Sequence, residues 1–181
     1  MSISLKWGLI TGVVYVIFSL ISNMLGLQAG AGGGGMASAG IGFLLNTLLF
    51  LVTLSIMYLA LKEIREDELD GFLNLGQAIR KGMKIALIAG LMLAVYMLLY
   101  AYVIDPHMMD KAAEAMEATW DKMNVPEEQR EMSRKVAMIF MHPLILAPMS
   151  IIWVAFWGLI KSLIAGSMLK KDPTPTIPPA L

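Results

Sequence analysis

An all-α integral membrane four-helix bundle, with an extracytoplasmic helical hairpin between spans 3 and 4, is the fold class this sequence predicts. Three observations carry the prediction. Of the 181 residues, 57% are apolar and only 15% charged, with a mean hydropathy of +0.69, whereas globular domains average about 45–50% apolar and roughly 25% charged. Four runs of about 20 residues are nearly free of charge, the length that a hydrocarbon core about 30 Å thick requires at 1.5 Å rise per residue. None of them alternates with period two, which argues for helices and against the strands of a membrane barrel.

The same composition excludes several classes of function. Fourteen basic residues balance fourteen acidic ones, so the positive footprint of a nucleic-acid binder is missing. There is no cysteine, which removes disulfides, thiolate nucleophiles, and Cys-held zinc and iron–sulfur clusters.

Taken in order, the first span is expected over about 7–27. Lys6, the apolar run and Ala29-Gly30-Ala31 imitate a cleavable signal peptide, but the run is longer than the usual 7–15-residue core of one, which predicts a retained helix. The connection 27–42 is rich in Gly, Ala and Ser, with Gly32 to Gly35 unbroken, and reads as a flexible tether. It is no phosphate loop, because no Lys-Ser/Thr pair follows and no strand precedes it. The second span is expected over 41–61 and the third over 85–104. Before the third, Phe72, Leu75, Ile79 and Met83 recur at helical spacing beside Arg80, Lys81 and Lys84. That pattern fits either a helix lying at the headgroup interface or the opening turns of the span itself.

Residues 105–140 carry the soluble-looking hairpin. Asp105 before Pro106 reads as a helix cap with proline in the first turn. Met109, Ala112 or Ala113, Met116, Trp120 and Met123 then form one apolar stripe against acidic and basic neighbours. Pro126, Glu127 and Glu128 open a second helix, with its own stripe of Met132, Val136 and Ile139. The two faces are expected to fold together or onto the membrane surface. The fourth span is expected over 143–164, with Lys161 close enough to the end to extend its ammonium to the headgroups. The proline-punctuated tail 170–181 reads as disordered.

Basic residues set the expected orientation. Nine (Lys6, Lys62, Arg65, Arg80, Lys81, Lys84, Lys161, Lys170, Lys171) lie on the side of the termini and five (Lys111, Lys122, Arg130, Arg134, Lys135) on the other. This predicts cytoplasmic termini.

With these elements placed, the chain resembles a domain-of-unknown-function family of bacterial inner-membrane proteins with four spans. The likeness rests on the opening KWGLITG, the stretch LGQAIRKGMKIALIAGLM, the IDP after the third span, the acidic helical excursion, and the return through HPLILAPMSIIWVAFWGLIKSLI. The resemblance implies a fold and a membrane location, and supplies no activity or catalytic residue.

Candidate sites are few. His107 and His142, with Asp105 nearby, are the residue types that hold zinc or another divalent ion; the plainer reading is two helix-boundary histidines, and no HExxH-like spacing favours metal. Trp153 and Trp157 on the fourth span read as packing or lipid contacts, with ligand stacking as the alternative. Asn23, Asn46, Thr47 and Thr53 are the polar residues expected to line any channel, or else to form interhelical hydrogen bonds. Small residues recur four apart, at Gly8 and Gly12, at Ala86, Gly90 and Ala94, and at Gly158, Ser162 and Gly166. They mark close helix contacts, inside one chain or in a homodimer.

The expected function is that of a non-enzymatic accessory or scaffold protein of the cell envelope. It would sit in the lipid bilayer, use no cofactor and meet a protein partner through 105–140. A small transporter or channel-like subunit is the alternative.

Overall fold

The computed structural model describes residues 2–25 and 36–171, with side chains from residue 40 onward in the second stretch. The helices are α1 (Ile3–Met24), α2 (Met36–Asp67), α3 (Leu75–Leu99), α4 (Met108–Lys122), α5 (Glu127–Met141) and α6 (Pro143–Leu169). Four of them, α1, α2, α3 and α6, are long and apolar enough to cross a membrane, and the chain is a multi-pass membrane protein. Most of the Gly-rich connection, 26–35, and the tail 172–181 lie outside the described residues.

The bundle is held at a seam of small residues. Cβ atoms placed on α6 would meet α3 at 2.3 Å from Ala86 Cβ for Gly158 and 2.6 Å from Ala78 Cβ for Gly166, while one on Gly82 would lie 1.9 Å from Ser162 Oγ. Gly90 faces the backbone of Ile151, and Gly8 and Gly12 of α1 face Ile88 and Met92 of α3. Without a hydrophobic force between helices in lipid, this close backbone approach is what holds them. The small residues singled out from sequence thus meet partners within the chain. At the end where α1 begins and α6 finishes, Met57, Ala60, Leu61, Ile64, Ile85 and Ala165 close into an apolar core. There Glu63 accepts from Lys6 at 2.6 Å and from Trp7 Nε1 at 2.8 Å, tying α1 to α2.

Several expectations change. Helix α2 begins at Met36, so residues 36–42 are helical and not part of a tether. The amphipathic stretch before span three is the start of α3, because Asn74 and Gln77 form a reciprocal capping box that begins the helix there. Helix α4 begins at Met108, with His107 at the cap position. The Asp105 carboxylate instead accepts from Lys111 at 2.8 and 3.0 Å, and this hydrogen bond holds the Lys111 ammonium above its ordinary value. The hairpin helices are bridged by Arg130–Asp121 at 2.5 Å and Arg134–Glu117 at 2.8 Å, while Met132, Val136 and Ile139 remain exposed. Charge pairs therefore join α4 to α5, and the apolar stripe of α5 is left outside. Residues 170 and 171, expected to open a disordered tail, are described, and the Lys171 backbone pairs with Leu73 in both directions at 3.0 Å.

Candidate functional site: a dead-ended chamber with a lysine at its floor

Among the described residues, helix α2 buries side chains only in its second half. No described side chain from Gly40 to Val52 is buried, whereas Thr53, Met57, Ala60, Leu61 and Ile64 are. Toward the hairpin the first half of α2 therefore leaves a chamber of about 880 Å³ among the four spans. Along α6 the chamber runs from Pro143 to Lys161, about 27 Å at helical rise. Met108, Met109 and Ala112 of α4 and Met141 of α5 form its roof. At the roof, α3 ends in a π-helical turn, Tyr100–Ile104, in which Asp105 N–H reaches back to Tyr100 O at 2.8 Å. Such turns recur at functional sites.

The walls are mainly apolar and aromatic. Trp153 and Trp157 both line the chamber, and Trp157 stands edge-on to Phe50 at 5.6 Å. Asn46 and Thr47 also line it, yet both donate to carbonyls of their own helix, Gly42 O at 2.8 Å and Phe43 O at 2.9 Å, and not across helices. The Tyr96 hydroxyl, on the α3 wall, is buried and has no hydrogen-bond partner among the described residues.

Lys161 forms the floor, and this corrects its expected place at the headgroups. It is 4% exposed and donates to Tyr15 Oη at 3.0 Å. Its ammonium also lies 5.3 Å from the Phe50 ring centre and 5.6 Å from that of Tyr15. Among the described residues no carboxylate pairs with it. The reason is directional. Helix α6 continues to Leu169, and side chains on a helix lean toward its amino terminus, so the stem of Lys161 leads up into the bundle and away from the nearer end. A sequence signal existed: Val154, Gly158, Lys161 and Ala165 are spaced 4-3-4, which puts the lysine on the packed face.

Below the floor is a void of about 10 Å³ beside Thr53 and Met57, no larger than the space one water requires. Thr53 is 1% exposed and its hydroxyl donates to Leu49 O at 2.7 Å. Beyond it the apolar core closes the bundle. The polar residues expected to line a channel are thus split, with Asn23, Asn46 and Thr47 at the chamber and Thr53 under its floor.

The histidine candidates are not joined into a metal centre. His107 Nδ1 lies 3.4 Å from Asp110, and His142 Nδ1 accepts from Leu144 N–H at 3.3 Å, capping α6. Among the described residues, no three His, Asp or Glu side chains gather closely enough to hold an ion.

No curated protein and no solved structure matches the chain. A family model described as a protein of unknown function, DUF4199, matches residues 6–171, from the start of the first span to the residue that pairs with Leu73, and the chain belongs to that family.

Proposed function

We propose that this is a non-enzymatic accessory protein of a bacterial inner membrane that holds one lipophilic molecule in the chamber beneath its α4–α5 hairpin. The observation that carries the reading is the closed-bottom chamber itself, of a volume suited to a single small-molecule ligand and lined mostly by apolar and aromatic side chains. Among the described residues no carboxylate or imidazole lines it, which supports binding over catalysis. The dead end at Lys161 supports a holding site over a transporter or channel-like subunit, which needs a path through the bundle.

Both termini face the cytoplasm in this reading. Removing Lys161 from the count leaves eight basic residues against five, so the bias keeps its sign. The hairpin then lies outside, and the exposed α5 stripe is the surface offered to an envelope protein or a second copy. Cysteine at Ala115 is expected to react with an impermeant maleimide on intact cells, and cysteine at Asp67 only after permeabilisation. The opposite labelling inverts the orientation.

Native mass spectrometry of the full chain, extracted in mild detergent, tests the rest. One bound amphiphile per chain is expected, and the same spectrum reports any partner or second copy. Ser150→Phe, which fills the chamber from α6, should abolish the bound mass while melting at the same temperature as delipidated wild type. Wild-type protein that carries no such mass sinks the reading.

A further inference from the structure

The chamber combines a long apolar wall with one buried cation, and that pairing specifies more than a lipophilic ligand. Lys161 has three N–H donors, and among the described residues the hydrogen bond to Tyr15 Oη is the one it makes to an oxygen. Ionisable side chains inside membrane spans are costly and pair with a counter-charge or backbone carbonyls. A charge-assisted hydrogen bond to an anion is the strongest way to satisfy the donors left over. The lysine lies at the closed end, so a head group that reaches it leaves its chain to run toward the hairpin. Along that path stand Phe18, Leu93, Trp153 and Val154, and the chain would end under Met108, Met109 and Met141, whose unbranched, polarisable side chains adapt to variable shapes.

We propose that the bound molecule is a single-chain amphiphile with an anionic head, and that Lys161 binds the head at the chamber floor, oriented by the Tyr15 hydroxyl. This rests on the chamber reading above and adds the charge and the direction of the ligand. A free carboxylate and a lipid-borne phosphate share this chemistry.

Three probes of equal chain length separate the possibilities on the delipidated full chain: palmitate, 1-palmitoyl lysophosphatidic acid and hexadecanol. At least one anionic probe is expected to bind tenfold or more tightly than hexadecanol. Preference for palmitate assigns a carboxylate head, and preference for the phosphate probe alone assigns a lipid headgroup. Lys161→Met should remove that preference while leaving hexadecanol affinity within twofold, which also reports an intact chamber. Lys161→Arg should retain it. Equal affinities in the wild type, or a preference that survives Lys161→Met, overturn the assignment and leave the chamber reading standing. Binding of none of the three overturns both.

Discussion

Gly158→Ala is expected to destabilise the protein by about 1–3 kcal/mol, the usual cost of an extra methyl in a packed interior. The new Cβ would lie 2.3 Å from Ala86 Cβ, well inside contact distance, and α3 and α6 would have to separate along their whole small-residue seam. A thermal melt in detergent reads the loss. Adding Ala86→Gly should restore most of it, because the clash is between two methyl groups and the second change removes one. Gly42→Ala is the control: nothing lies within 4 Å of its Cβ position, and alanine gains about 0.5–1 kcal/mol over glycine in a helix. An equal loss at both sites would mean that the seam is not what holds the bundle.

Lys161→Met has the opposite expected sign. In delipidated protein the ammonium has Tyr15 and two aromatic faces but no anion among the described residues. Even a buried ion pair can often be replaced by apolar side chains at no cost or with a gain of about 1–4 kcal/mol, and an ammonium without a carboxylate partner has less Coulombic attraction to lose. Loss of the hydrogen bond to Tyr15 offsets part of that, by about 1 kcal/mol. The variant should therefore melt higher than wild type when empty. Wild type should recover the difference when an anionic amphiphile is added, since a ligand that binds the folded state alone raises stability with its concentration. A lower melting temperature for the empty variant would show that the ammonium is already satisfied within the chain.

The number and order of the spans were legible in the sequence because each property involved is local. A charge-free run of about 20 residues, a capping residue and a proline act within one helix or its ends. The family was legible for the same reason, since its motifs punctuate those helices. Element ends were less so: α4 starts at Met108 because Asp105 binds Lys111, a choice between capping and pairing that both residues permit. The small residues at Gly158, Ser162 and Gly166 were visible at their spacing of four, but their partners at Ala86, Gly82 and Ala78 emerge only when α3 and α6 are aligned antiparallel.

The chamber was not visible at all. It exists because α2 is buried from Thr53 onward and not before it, and no pattern in residues 40–52 announces that divergence. Sequence alone settled what each segment is: four apolar helices, a charged hairpin, small faces suited to close approach. Tertiary structure settled what faces what, including the lysine. Lys161 is three residues before the end of its apolar run, and hydropathy alone leaves it free to reach the headgroups, but the direction of a side chain's stem depends on the direction of its helix, and its surroundings depend on three others. Hydropathy sums over a segment; the position of one charge is set by packing among segments.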